Sequence, residues 1–219
     1  MRRCVTRVRG SPRYRRVVPE GVDEIARAPH IAATLAQMTP DRPSTIASSG
    51  GRLFATQPAA VVVPIVNRRE ELLLLESPRR PGWWEPVNGA VDAGETLLEA
   101  ALREVREEAG SDLRVRPLGV VHASTFAYDA LVKHMISVTY LMAHETGEVM
   151  PGDDMRGSRV RWVTIGEIES EGLRMVPPLD QLWLRRRTID LYRLWQPAPD
   201  APLQEPLPDT GWNKNDITG

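Results

Sequence analysis

The chain has 219 residues, and its 28 Lys and Arg against 29 Asp and Glu leave a formal charge of −1. That length suits one ordinary domain with extensions, near-neutrality supplies no global basic field that would gather nucleic acid, and no apolar run approaches the roughly 18 residues of a membrane span. A single cysteine, Cys4, excludes an internal disulfide framework or a cysteine-based metal cluster, so a soluble, cytoplasmic protein is expected.

Residues 1–16 carry seven arginines and no acid, which reads as an exposed basic tail, a nucleic-acid arm or an organellar presequence. Residues 22–38 read as one or two short helices broken near Pro29, with Ile25, Ile31 and Leu35 available to cap the core or a partner. A homodimer is therefore left open. The Pro-, Ser- and Gly-rich stretch 39–51 reads as a linker or surface loop and sets a boundary. The expected organisation is 1–51 as arm, short helices and linker, 52–196 as the main domain, and 197–219 as a Pro-rich tail.

From Ala59 the pattern turns to continuous apolar runs, AAVVVPIV and then ELLLLE after a turn at Asn67-Arg68-Arg69, which suit strands buried on both faces. Pro64 should mark a strand irregularity or edge. The segment SPRRPGWWEPVNG reads as a loop delivering the chain to Gly89, and of the neighbours Trp83 and Trp84 one should pack while the other faces solvent or ligand.

The stretch from Gly89 to Gly110, GAVDAGETLLEAALREVREEAG, carries the strongest pattern in the chain. Good helix formers between Glu95-Thr96 and Gly110 predict a helix over about 96–109, with Leu98, Ala101, Leu102, Val105 and Ala109 as its apolar stripe. Glu104, Glu107 and Glu108 then share a second face. A helix so rich in Glu and Arg is ordinarily a solvated surface, but three carboxylates at these spacings repel one another unless a cation lies between them. Oxygen ligands without His or Cys suit Mg²⁺ or Mn²⁺ better than Zn²⁺.

The segment resembles the Nudix box, G-x5-E-x7-R-E-U-x-E-E-x-G-U with U a bulky aliphatic residue. Gly89, Glu95, Arg103, Glu104, Val105, Glu107, Glu108 and Gly110 fit, while Ser111 departs at a packing position. The resemblance implies an α/β fold, an α/β/α sandwich with a mixed sheet, here with an N-terminal helical extension and a Pro-rich tail. It also implies a Mg²⁺-dependent hydrolase cleaving a nucleoside diphosphate linked to another moiety. By position, Glu104, Glu107 and Glu108 would be metal ligands, Arg103 would orient them, Glu95 would assist from the helix start, and Gly89 would shape the loop. One of the glutamates or a loop acid would be the general base.

Beyond the box, residues 113–128 and 134–144 read as a strand pair, the second alternating through Ile136, Val138, Tyr140 and Met142. The GDDMRGS loop offers Asp153 and Asp154 either as a solvated turn or as the loop base that the family often places there. A strand over 159–164 and a helix over 176–195, opened by Pro177-Pro178, complete the domain. The four histidines show no ligand-like clustering.

The reaction expected is attack of water at a pyrophosphate phosphorus, for which no nucleophilic Ser or Cys is needed. The substrate is a small nucleotide, with no membrane partner, and the charge balance argues against nucleic acid. Resemblance to subgroups divides: Pro86-Val87-Asn88-Gly89 leans to triphosphates, Tyr128 to dinucleoside polyphosphates, and Phe126 counts against ADP-ribose. Trp83, Trp84, Phe126 and Tyr128 are the aromatic candidates for stacking on a base. The alternative is a nucleotide-sensing module whose N-terminal region contacts a partner or nucleic acid.

Overall fold

A computed structural model describes residues 45–130, 132 and 134–195, so the expectations for the N-terminal arm and helices, Leu131, Lys133 and the C-terminal tail lie outside the described residues. Within the stretch read as linker or surface loop, β1 (Thr45–Ala47) begins an antiparallel hairpin with β2 (Leu53–Ala55), closed by a turn in which Gly51 N–H donates to the Ser48 carbonyl.

The main sheet is mixed and nine-stranded, built from β3 (Ala59–Val63), β4 (Ile65–Val66), β5 (Leu72–Glu76), β6 (Trp83–Glu85), β7 (Val87–Ala90), β8 (Arg114–Phe126), β9 (Met135–Thr146), β10 (Val160–Val163) and β11 (Arg174–Met175). The apolar run around Pro64 divides as expected. Both β3 and β4 run parallel to β9, but on their other edge β3 pairs with β7 and β4 with β5. A second proline, Pro86, divides β6 from β7, so β6 follows β5 while β7 follows β3. The WWEPVNG stretch read as a loop is thus two short strands; its one break falls where proline has no N–H to give a ladder.

Alternation along β5 sends Leu72 and Leu74 to one face and Leu73 and Leu75 to the other, and each face has its own core. On one side, α1 (Leu97–Glu104) and a following π-helical turn (Val105–Ala109) bury Ala100, Ala101, Val105 and Ala109 against Val61, Val63, Ile65 and Met142. On the other, α2 (Ile165–Ser170) and α3 (Leu182–Trp195) bury Ile168, Leu184, Ile189 and Tyr192 against Val66, Leu141, Ala143 and Val163. This is the expected α/β/α sandwich.

Several boundaries differ from the sequence reading, each for a local reason. The expected 176–195 helix starts at Leu182. Residues 177–181 form turns, and the amides of Leu184 and Arg185 both donate to the Gln181 carbonyl, which places the helix start after it. Trp183, in the first turn of the helix, is exposed. The apolar stripe of α1 is rotated toward Ala100, leaving Leu98 and Leu102 half-buried, because Glu104 and Glu108 take buried positions beside Ala101 and Val105. Strand β8 ends at Phe126, and Tyr128 instead belongs to a turn, its N–H donating to the Val132 carbonyl at 2.9 Å. No helix among the described residues is long and apolar enough to cross a membrane.

Candidate active site

The site assembles where β7 meets α1. The register Gly89↔Val61 lays β7 flat on the sheet, and the turn after Ala90 leads into a capping box: Thr96 Oγ1 accepts from Glu99 N–H at 3.2 Å while the Glu99 carboxylate accepts from Thr96 N–H at 2.8 Å. That cap fixes where the helix begins, hence which residues point back at β7. Glu104 points directly there. A Cβ at Gly89 would overlap the Glu104 carboxylate, so glycine is required because the acid occupies the space of a side chain.

Arg103 ties the acids together. Its Nε and Nη2 donate to the two Glu95 oxygens at 2.8 and 3.0 Å, Nη1 donates to Glu104 Oε1 at 2.7 Å and Glu107 Oε2 at 3.1 Å, and Nη2 also donates to the Ala90 carbonyl at 2.8 Å. One planar fork thus spans the strand end, the turn and two helical acids, a geometry that lysine's point charge cannot reproduce. Glu95 is held from its other side by the Asp92 N–H at 3.0 Å. Hydrogen bonds from Arg103 hold Glu95 below the usual carboxylate range.

Glu108 lies deeper, its Oε2 accepting from the Asn88 backbone N–H at 2.9 Å. Burial pushes this carboxyl up to about 8; the Asn88 N–H opposes the shift, while the nearby charges of Glu104, Glu85 and Asp154 add to it. Burial also raises Glu104, against the pull of Arg103. Three acids around one buried carboxyl, of which only Glu104 is braced by Arg103, leave a local excess of negative charge that a hard cation would relieve.

The helix end is shaped by the loop between β9 and β10, whose Met155 and Val149 pack in the same core as the helix. Met150 N–H donates to the Ala109 carbonyl at 2.8 Å and Gly152 N–H to the Glu108 carbonyl at 3.3 Å, supplying partners for carbonyls that the helix leaves open. A side chain at Gly152 would come within 2.6 Å of the Glu107 carbonyl oxygen. The π turn lies at this junction, and such turns gather at functional sites. Ser111, the departure from the box pattern, is exposed in the next turn, and Leu113 is the buried residue there.

The structure therefore brings Gly89, Glu95, Arg103, Glu104, Glu107 and Glu108 together. Among the described residues no three potential ligands converge ready-made on one point, since Glu104 and Glu107 face Arg103 and Glu108 faces Asn88. The donor set nevertheless fits Mg²⁺ or Mn²⁺: all oxygen, carboxylate-rich and crowded. Asp154 lies on the loop that caps the helix and pairs with Arg79 at 2.6 Å, while Asp153 beside it is exposed. Trp84 is 5 % exposed in the core beneath Arg159 and Arg161, and Trp83 is half-buried at the sheet surface. Phe126, the last residue of β8, and Tyr128, in the turn after it, are exposed, and β8 lies across β9 and β3 from Gly89. Glu85, the Asn88 amide and Gly152 escaped sequence reasoning. A backbone donor leaves no mark in a sequence, although Glu85 stands four residues before Gly89 and was open to notice.

Comparison with known proteins gives concordant results. The NUDIX domain family matches residues 55–186. The chain is 30% identical over 133 residues to the NAD-capped RNA hydrolase NudC of Pseudomonas aeruginosa, covering 60% of this chain and 42% of that protein. It is 32% identical over 101 residues to the ADP-ribose pyrophosphatase of Methanocaldococcus jannaschii, covering 45% and 59%. A NUDIX-family hydrolase from Clostridium perfringens, 17% identical, shares the fold with a TM-score of 0.51 over 64% of this chain and 98% of that one. The chain thus spans well under two thirds of the length of these curated relatives.

Proposed function

From the premise that this chain belongs to the Nudix family, we propose that it is a divalent-metal-dependent pyrophosphohydrolase acting on a nucleoside diphosphate linked to another moiety. The observation that carries the reading is the Arg103 fork, which holds Glu95, Glu104 and Glu107 against a Gly89 position with room for the Glu104 carboxylate and no side chain. A merely solvated acidic helix has no need of such bracing.

Glu104, Glu107 and Glu108 would hold Mg²⁺ or Mn²⁺, which when bound supplies Lewis acidity at the phosphoryl oxygens and eases deprotonation of the attacking water. The chain's own residues do the positioning. Arg103 fixes two of the acids and is itself fixed by Glu95 and the Ala90 carbonyl, while the Asn88 amide holds Glu108. The water's proton goes to a site carboxylate, with Asp153 and Asp154 as the loop candidates. Attack on phosphorus needs little covalent chemistry from the protein, so this array of placed charges suits the task.

For the substrate, Trp83 on β6 is the aromatic that stays half-open near Glu85 and Asn88, and it is the preferred stacking candidate of the four considered. One relative is a NAD-capped RNA hydrolase and another an ADP-ribose pyrophosphatase, so capped RNA and ADP-ribose are both candidate substrates to test. The test is a panel of nucleoside triphosphates, dinucleoside polyphosphates, ADP-ribose, NAD and NAD-capped RNA with Mg²⁺, reading phosphate and pyrophosphate separately. One class should turn over in the wild type and be lost in Glu107→Gln and Glu108→Gln; equal rates in those variants at limiting Mg²⁺ overturn the assignment.

A further inference from the structure

The site as described is rich in negative charge, yet the proposed substrate is a polyanion. Glu95, Glu104 and Glu107 crowd Arg103, the charges of Glu104, Glu85 and Asp154 act on Glu108, and the Arg103 guanidinium is already committed to Glu95, Glu104, Glu107 and the Ala90 carbonyl. A phosphate chain needs a cation that is not spent on the protein's own acids.

Arg79 fits that need. It lies in the turn joining β5 to β6, and this turn is firmly built: Ser77 N–H donates to the Trp83 carbonyl at 2.8 Å, Arg80 N–H to the Ser77 carbonyl at 3.1 Å, and Gly82 N–H to Glu76 Oε1 at 2.8 Å. Glu76 is clamped in turn by Arg159 through two bonds of 2.6 and 2.7 Å. The backbone that carries Arg79 is thus fixed while its side chain remains three-quarters exposed. Among the described residues it donates only through Nη2, at 2.6 Å to Asp154 Oδ2. Asp154 belongs to the loop that caps the catalytic helix, and its charge is felt at Glu108. The ion pair therefore joins the β5–β6 turn to the loop whose Gly152 N–H bonds the Glu108 carbonyl. Exposed pairs of this kind hold weakly and exchange readily, whereas an arginine fork on a phosphate gains charge-assisted, bidentate bonding.

We propose that Arg79 is the phosphate anchor of this site, parked on Asp154 in the free protein and transferred to a substrate phosphoryl group on binding. The proposal rests on the pyrophosphohydrolase reading above for its ligand class, a phosphoric anhydride. Transfer has two results at once: the substrate gains a fixed contact, and the Asp154 carboxylate is released beside the site.

The test combines turnover of the best panel substrate with binding of adenosine α,β-methylene diphosphate in Mg²⁺, a probe that resists hydrolysis at the bridged position. Arg79→Ala should raise KM about tenfold or more with kcat within about twofold, and Arg79→Lys should recover part of the loss. Arg68→Ala, which removes the same charge at the exposed turn after β4, should leave KM unchanged. Asp154→Asn should bind the analogue more tightly than wild type, because the parking partner is gone. Opposite signs for Arg79→Ala and Asp154→Asn are the signature of the exchange. An unchanged KM in Arg79→Ala overturns the proposal, and so does an equal weakening of analogue binding in both variants, which would mean that the pair only ties the loops together. A wild type that binds the analogue through Arg79 but cleaves nothing would overturn the hydrolase reading and leave the anchor standing.

Discussion

Arg103 shows how much of the site hangs on one side chain. Four acceptors converge on a single planar group, and replacing it by lysine keeps the charge but gives up the fork. Arg103→Lys should therefore lower activity by about 10–100-fold, as loss of a group that orients metal-binding carboxylates does elsewhere, with the circular dichroism spectrum unchanged. Titration of activity against Mn²⁺ checks it. Glu76 offers a residue-scale prediction away from the chemistry. Arg159, aided by the Gly82 N–H, holds its carboxyl at about 2 against an ordinary 4.5, so the folded state favours the ionised form. That stabilisation is complete above the ordinary value and disappears as pH falls through about 2. In thermal melts, Glu76→Gln should be less stable than wild type by a constant margin at pH 6–8, and the gap should narrow below pH 4.5 and close near pH 2.

At the scale of elements, capping decides where the working helix starts. Thr96→Ala removes the acceptor for Glu99 N–H and should cost about 1 kcal/mol, seen as a fall of about 2–4 °C in Tm. The same signal, Thr-x-x-Glu, opens α2 at Thr164 and Glu167 with bonds of 3.2 and 2.7 Å, and it was legible in the sequence although α2 was not predicted. The elements that were read correctly are those with sustained patterns: the doubly buried runs of β3 to β5, the strand β9, although it is buried on both faces and not on alternate residues, and the box helix. Those missed are short strands whose existence depends on partners remote in sequence. Strand β11 is two residues long and forms only because β6 lies beside it, and β6 itself is visible only once β5 is placed. The site followed the same division. Residue types at fixed spacing exposed the glutamates and Arg103, while the backbone donor at Asn88 and the loop at Gly152 depend on folded geometry alone.

At the scale of the whole molecule, the buried apolar side chains of the described residues run from Val61 to Tyr192 and fill two cores on opposite faces of one sheet. We therefore expect residues 52–196 to keep metal-dependent turnover with kcat/KM within about threefold of the full chain, since tolerance to truncation follows burial. An insoluble or inactive product would assign residues 1–51 to the folding unit or to an obligate dimer. The mixed sheet also explains why two faces are needed at all. Parallel pairing of β3 and β4 with β9 hides those strands on both sides, which is why their sequence shows unbroken apolar runs with no alternation.

The two prolines that part the sheet have a consequence for how such a protein can change. Pro64 and Pro86 send β7 one way with β3 and β6 the other way with β5, so the strand bearing Gly89 and the strand bearing Trp83 belong to separate wings of one fork. On the proposed reading, reaction and recognition would then be inherited as separable parts. Remodelling the 77–82 turn on the β6 wing should re-tune which molecules are accepted, read as altered KM across the panel, while the snug fit of Gly89 against Glu104 on the other wing passes through the change untouched. A lineage could explore new substrates along one prong without risking the chemistry held by its neighbour.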